Sequence, residues 1–142
     1  MALVQKKTSV TPLRSQLEYF SDFLTDFDIL ETKQDLARIT NEEAVKTSIR
    51  NLLLTNRGDR LFNNTIGSDL QALLFENASP ALEQVVADYV RRTIENYEPR
   101  AGIVDIVVNT ELDQNLVGVS IVFRIINKQE PIVLDVILNR IR

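Results

Sequence analysis

The chain changes its hydrophobic period at Pro99, and this change constrains the fold more than any other feature of the sequence. From residue 80 to residue 97 apolar residues recur at helical spacing, whereas beyond residue 100 they alternate at every second position. Proline has no amide hydrogen and disfavours helical backbone in the residue before it, so the helix must end there. The sequence therefore predicts a long helix followed at once by β-strands.

The segment after Pro99 has the alternating pattern of half-buried strands separated by polar turns. The predicted strands are 103–112, 116–127 and 131–141. Short turns join neighbouring antiparallel strands, so we expect a meander that presents one face to the helices. In the first strand we expect Val104, Ile106, Val108, Thr110 and Leu112 on that face. The fold class is α+β, with helices packed on one face of a small C-terminal antiparallel sheet.

Three helices are expected before the sheet, and polar residues suited to cap them precede each one. The predicted helices are 41–56, 68–76 and 80–97. Thr40 and Ser68 each stand three residues before Glu43 or Gln71, the spacing of a capping box. Ser79 stands directly before a proline, which is typical of a helix start.

The chain divides into an N-terminal arm or helical segment at 1–40 and a single domain at 41–142. Within the arm, four apolar residues have the spacing of one helical face: Leu13, Leu17, Phe20 and Leu24. The stretch 25–29 fits an irregular or strand-like segment equally well. Both interpretations of the arm stay open at the level of sequence.

Composition excludes several classes of function. The 142 residues include no histidine and no cysteine, which removes the commonest general base and the thiolate ligands of metals. The net charge is −4, so nucleic acid is not an expected partner. No run approaches the roughly 20 apolar residues that span a bilayer. We therefore expect a soluble protein made in the cytoplasm, with no cofactor, no metal and no membrane partner.

A carboxylate and a guanidinium flank Pro99, which makes this junction a candidate binding site. Side chains two apart in an extended segment point the same way, so Glu98 and Arg100 should lie side by side. One interpretation is a solvated surface pair, which contributes little to stability. The other is a stiffened pair that holds another protein.

The second face of the predicted sheet mixes polar and apolar residues, which is unusual for a face in water. Its apolar members are Ile103, Val107, Val122, Ile126, Val133, Ile137 and Ile141. The arm, with Phe20, Phe23 and Phe27, could fold back over them. Alternatively, this face or the strand edge beside it receives another chain, since an exposed edge is a template for strand addition.

Several blocks, in order over about residues 44–126, resemble one known family. They are Ser48–Thr55, Gly58–Phe62, Gly67–Leu70, Leu73–Glu76 and the Glu98–Arg100 signature after a helix. The chain resembles the small baseplate wedge proteins of contractile-tailed phages, the sheath-initiator family with a counterpart in type VI secretion systems.

The resemblance implies a structural wedge component that initiates the tail sheath. It assigns wedge-core binding to Glu98, Pro99 and Arg100. It assigns sheath docking to the edge formed by Ile132, Val133, Leu134, Asp135, Val136, Ile137 and Leu138. The implied partners are other wedge proteins and the sheath subunit. The implied location is the virion baseplate, assembled in the host cytoplasm, with the chain monomeric alone and multi-copy in the baseplate. We expect the open edge and the charged junction at opposite ends of the molecule.

Two alternatives remain open. One is the type VI secretion baseplate component, although 49–57 is closer to the phage form. The other is a lysozyme-like hydrolase, for which Asp59, Glu76 and Glu98 are the candidate carboxylates. Glycoside hydrolysis needs one carboxyl group with a raised pKa. Arg100 should instead lower the pKa of Glu98, so we expect no catalytic residue.

Overall fold

The computed structural model describes residues 19–23, 29–30, 35–76, 79–111, 116–126 and 128–139. The elements in chain order are β1 (Ser21–Phe23), β2 (Ile29–Leu30), β3 (Asp35–Leu36), β4 (Arg38–Thr40), α1 (Asn41–Leu54), α2 (Leu70–Leu73), α3 (Pro80–Tyr97), β5 (Ala101–Glu111), β6 (Leu116–Ile125) and β7 (Ile132–Asn139). The predicted strand ends at residues 112, 127 and 141 lie outside the described residues.

The fold is α+β, as the sequence predicts. Strands β5, β6 and β7 form one antiparallel sheet in that order. Helix α3 packs along β5, and α1 and α2 pack against α3. The core between the sheet and the helices includes Phe123 and Ile121 from β6 and Ile49, Val90 and Ile94 from the helices, all fully buried.

Helix α2 is shorter than predicted because its last turn tightens. It spans Leu70–Leu73 rather than 68–76. The amides of Phe75 and Glu76 donate to carbonyls three residues earlier, a 3₁₀-type pattern that does not continue an α-helix. Helix α1 ends at Leu54 rather than at 56, because Thr55 adopts an extended backbone.

A β-bulge at Val104 changes which residues of β5 face the core. Ile103 pairs with Phe123 and Asp105 pairs with Val122, so Val104 is the extra residue between them. The expectation that Val104 faces the core and Ile103 faces away is wrong. Ile103 packs against the core and Val104 is exposed. Beyond the bulge the alternation returns to the predicted phase.

The described part of the N-terminal arm pairs as strands instead of forming a helix. Strand β1 pairs antiparallel with β4, and β2 pairs with β3. The prediction of a helical face running through Phe20 to residue 24 is therefore wrong at 21–23. Its members Leu13, Leu17 and Leu24 lie outside the described residues.

Asn41 joins the β1–β4 pair to α1 and takes the place of the predicted cap. Its φ of 50° is in the left-handed region, which asparagine tolerates better than most residues. Its Oδ1 accepts hydrogen bonds from the amides of Tyr19 and Phe20, and its own amide donates to the carbonyl of Phe20. The side chain of Thr40 makes no cap bond, so the capping-box prediction there is wrong.

The outer face of the sheet carries exposed apolar side chains in the described chain. Val133 is 56% exposed and Ile137 is 66% exposed, and Val107 and Ile126 are also exposed. Phe20 packs against the core instead, Phe23 is half exposed on β1, and Phe27 and Ile141 lie outside the described residues. Among the described helices, none has the length and apolar character that crossing a membrane requires.

Candidate functional site

The junction between α3 and β5 is a bidentate ion pair built on a turn. Helix α3 ends at Tyr97, and the amide of Glu98 still donates to the carbonyl of Ile94. The guanidinium of Arg100 then donates from Nε to Oε1 of Glu98 at 2.5 Å and from Nη2 to Oε2 at 2.6 Å. This paired geometry is the strongest that an arginine and a carboxylate form. Pro99 lies exposed between the two partners.

Two further contacts tie this junction to distant parts of the chain. The hydroxyl of Ser48, in the middle of α1, donates to Oε2 of Glu98 at 2.5 Å. The guanidinium of Arg100 lies 5.4 Å from the ring centroid of Phe20, within the range of a cation–π contact. The junction therefore connects α1, α3, the start of the sheet and the N-terminal segment.

Glu98 is buried and remains ionised. It is only 3% exposed, and its position at the carboxyl end of a helix places it near the negative end of the helix dipole. Burial by itself would raise the pKa of this carboxyl group, but the hydrogen bonds from Arg100 and Ser48 outweigh burial and the net pKa is lowered. The hydrogen bond to Glu98 in turn raises the pKa of Arg100. The cluster is a fixed, internally neutralised pair.

This geometry excludes the solvated surface pair, and it limits what Glu98 can contribute if the junction binds another protein. It is not a solvated surface pair, because the carboxylate is buried and all its described hydrogen bonds are internal. Nor can Glu98 itself project toward another protein. What the junction presents to solvent is Pro99 and the partly exposed edge of Arg100, both held in place by Glu98.

Strand β7 is the second candidate site, and its residues divide between two roles. Ile132, Leu134, Val136 and Leu138 are buried in the core, whereas Val133, Asp135 and Ile137 are exposed. In the described sheet β7 pairs with β6 alone, so its other edge carries backbone amides and carbonyls that no described strand engages. Asp135 is fixed by Ser120 of β6, whose hydroxyl donates to Oδ1 at 2.7 Å.

The expectation that the two candidate sites lie at opposite ends of the molecule does not hold for the start of the β7 edge, although β6 separates β7 from β5. The carbonyl of Arg100 accepts a hydrogen bond from the amide of Ile126, at the end of β6. Strand β7 begins opposite Phe123, three residues earlier on β6. The antiparallel register therefore places the start of the β7 edge at the same end of the sheet as the junction.

The three candidate carboxylates lie at different places in the fold. Glu98 has its pKa lowered, the wrong direction for a general acid. Oδ2 of Asp59 accepts a hydrogen bond from the amide of Asn56 and closes a turn, and Glu76 is exposed beyond α2. Across the described residues, no group of three or more acidic side chains is arranged to hold a metal ion.

Sequence reasoning did not identify the roles of Ser48 and Phe20. Ser48 lies 50 residues from Glu98 in the chain, and its helical position shows no pattern that would connect it with the junction. Phe20 looks like one apolar residue of a helical face. Only the packing of α1 against α3, and of the N-terminal strand beside them, brings both residues to Arg100 and Glu98.

Comparison with known proteins gives one family and several similar folds. The sequence model of a family described as baseplate wedge protein gp25 matches residues 40–130. Baseplate wedge protein gp25 of Enterobacteria phage T4 is 28% identical over 103 residues, which are 72% of this chain and 78% of that protein.

Three solved structures share the fold at low sequence identity. A Geobacter sulfurreducens protein provisionally named a tail lysozyme has a TM-score of 0.68 at 18% identity, covering 73% of this chain and 96% of that one. A chain of the anti-feeding prophage baseplate has a TM-score of 0.61 at 16% identity, covering 87% of each. A chain of a type VI secretion baseplate complex has a TM-score of 0.58 at 14% identity, covering 68% of this chain and 90% of that one.

Proposed function

The chain belongs to the gp25 family of baseplate wedge proteins, and we propose that it attaches to the wedge core at the Glu98–Arg100 junction and offers the edge of β7 to the tail sheath. It is a structural component of a contractile-tail baseplate and is located in the virion. It works together with other baseplate proteins. The proposal concerns which surfaces it uses and for which partners.

The junction supports wedge attachment because its exposed part is held rigidly. Pro99 has a fixed φ angle, and Arg100 is oriented by two hydrogen bonds to a buried carboxylate. A partner that binds these residues therefore loses little of its binding energy to ordering them. Glu98 acts as the positioning residue, and Pro99 and Arg100 are the contacting residues.

The single observation that carries the sheath proposal is the edge of β7. Four buried residues fix the strand to the core, so the edge is rigid, and no described strand occupies it. An incoming sheath segment could add there as a fourth strand through main-chain hydrogen bonds. Val133, Asp135 and Ile137 would give such a pairing its side-chain specificity.

We infer a structural rather than a catalytic role. The fold shared with a protein named a tail lysozyme is a likeness at 18% identity and concerns the fold alone. Of the three candidate carboxylates, Glu98 has a lowered pKa, the wrong direction for a general acid, and Asp59 closes a turn. A type VI secretion baseplate is the alternative setting, but the sequence relative at 28% identity is a phage protein.

Wedge attachment can be tested by replacing the exposed proline of the junction. Pro99→Glu changes the surface that the partner meets without removing either Glu98 or Arg100. The matched control is Pro131→Glu, at an exposed proline before β7. We expect Pro99→Glu to bind a purified wedge assembly lacking this chain at least about tenfold more weakly than Pro131→Glu. Equal binding of both variants would contradict the assignment.

A further inference from the structure

The loop between α1 and α2 presents two large apolar side chains fully to solvent. Leu61 is 89% exposed and Phe62 is 102% exposed, more than any other large apolar residue of the described chain. Burying either side chain against a partner would remove a large apolar area from water, which favours association. These two residues are adjacent in the chain.

Leu61 and Phe62 are the two central residues of a β-turn. The amide of Asn63 donates to the carbonyl of Arg60, three residues earlier. Central turn positions usually carry Gly, Pro, Asn, Asp or Ser, which suit the backbone and are readily hydrated. Leucine and phenylalanine bring no such advantage to a turn. Their presence at its tip indicates a role outside the stability of this chain.

The loop that carries this turn is held by hydrogen bonds on both sides. At its base the amide of Gly58 donates to the carbonyl of Asn64 at 3.0 Å. Oδ2 of Asp59 accepts from the amide of Asn56 at 3.0 Å. The hydroxyl of Tyr97 donates to the carbonyl of Thr65 at 2.6 Å, which fastens the loop to the end of α3. A partner would therefore meet a preorganised turn.

Charge indicates what kind of surface this turn fits. Arg60 precedes the apolar pair and is exposed, and no carboxylate of the described chain forms an ion pair with it. A partner surface with carboxylates would complement this arginine. The family match places this chain in a baseplate, where its neighbours are other proteins. A protein surface is therefore favoured over a lipid one.

We propose that the turn tip, defined as Arg60, Leu61 and Phe62, inserts into a concave apolar pocket bordered by carboxylates on another protein of the baseplate wedge. This deepens the proposed function and rests on it. Tyr97 directly precedes Glu98, and its hydroxyl donates to the carbonyl of Thr65 in the loop. The loop and the junction therefore lie on neighbouring parts of the molecule. The two sites together form an extended surface for the wedge.

The test measures binding of variants to a purified wedge assembly that lacks this chain. The first variant is Leu61→Ser with Phe62→Ser, since serine suits a turn and should leave the fold intact. Its control is Phe75→Ser, which removes an exposed phenylalanine after α2. The second variant is Arg60→Glu, with Arg92→Glu on the exposed side of α3 as its control. We expect both turn-tip variants to bind at least about tenfold more weakly than their controls.

The outcomes separate this proposal from the function on which it rests. If the turn-tip variants bind like wild type while Pro99→Glu binds weakly, the turn-tip proposal alone is overturned. Wild type that fails to bind the assembly overturns both proposals. Flotation of wild type with phosphatidylglycerol vesicles, lost in the Leu61→Ser/Phe62→Ser variant, would reveal a lipid surface and overturn the protein pocket. Self-association of wild type in analytical ultracentrifugation, lost in the same variant, would overturn it in favour of a second copy.

Discussion

The hydroxyl of Ser48 donates a 2.5 Å hydrogen bond to Oε2 of Glu98, joining the middle of α1 to the end of α3. Three side-chain atoms donate hydrogen bonds to Glu98, two from Arg100 and one from Ser48. A buried carboxylate at the negative end of a helix is tolerated only with such partners. The junction that we assign to wedge binding is consequently also part of the core.

We predict that Ser48→Ala destabilises the protein by about 1–2 kcal/mol, because one hydrogen bond to a charged, buried group is lost. Urea unfolding monitored by circular dichroism measures the difference in free energy of unfolding. Thr47→Ala, at the neighbouring position of α1, is the control for the higher helix propensity of alanine. If both variants lost the same free energy of unfolding, the hydrogen bond from Ser48 to Glu98 would contribute nothing to stability.

The lowered pKa of Glu98 predicts how stability depends on pH. The folded state holds the ionised carboxylate more strongly than the unfolded state does, so this contribution is complete above the ordinary pKa of 4.5. It is lost as pH falls from that value through the lower pKa of the folded state. Glu98→Gln should be about 2–4 kcal/mol less stable than wild type at pH 7, with Arg100 left unpaired.

Urea unfolding of wild type and Glu98→Gln between pH 7 and pH 3 checks this dependence. The gap between their free energies of unfolding should be constant down to about pH 4.5 and then narrow. A gap that stayed constant to pH 3 would show that Glu98 does not titrate differently in the two states.

Two glycines of the loop before α2 should respond differently to alanine. At Gly67, with φ of 134°, a Cβ would lie 2.7 Å from the carbonyl oxygen of Thr55 and 2.8 Å from atoms of Asn56. At Gly58, with φ of 97°, a Cβ would meet nothing within 4 Å. Thermal unfolding should show that Gly67→Ala lowers the free energy of unfolding by about 2 kcal/mol or more, because a clash adds to backbone strain. Gly58→Ala should lower it by about 1 kcal/mol, because only backbone strain acts there. The reverse order would contradict the packing of this loop.

Sheath docking on β7 can be tested without damaging the core. Deleting 131–142 is unsuitable, because Ile132, Leu134, Val136 and Leu138 are buried and the deletion would unfold the sheet. Val133→Lys with Ile137→Lys instead places two charges on exposed positions of the edge strand, which discourages strand addition. Electron microscopy of assembled particles should show baseplates that contain the variant but bear no sheath. Normal sheath length on such baseplates would rule out this edge.

Much of the sheet could be predicted from the sequence because alternation is a local signal. Strand β6 buries every second residue, as alternation predicts, and α3 spans 80–97 with the Ser79 cap, whose Oγ accepts from the amide of Leu82. The bulge at Val104 could not be predicted, because Ile103 and Val104 are both apolar and either one satisfies the pattern. The bulge arises from pairing with β6, whose residues are distant from Val104 in the chain.

The capping box predicted at Ser68 and Gln71 does not form, because tertiary contacts use the same side chains. The hydroxyl of Ser68 donates to the carbonyl of Leu53 at 2.6 Å, and Gln71 accepts from the side chain of Asn56, so neither completes a capping box. The Glu98–Arg100 pairing follows from a spacing of two, as predicted. The burial of this pair could not be predicted from the sequence, because Ser48 and Phe20 belong to distant segments that pack against the pair only in the folded chain.

A near-atomic cryo-electron microscopy reconstruction of the assembled tail, with this chain located, would reveal both proposed contacts at once. We predict a strand from a sheath subunit hydrogen-bonded along the outer edge of β7, and a wedge protein in contact with Pro99 and Arg100. An outer edge of β7 that faces solvent, or that pairs with the chain's own residues, would contradict the account. So would a junction exposed to solvent within the finished particle.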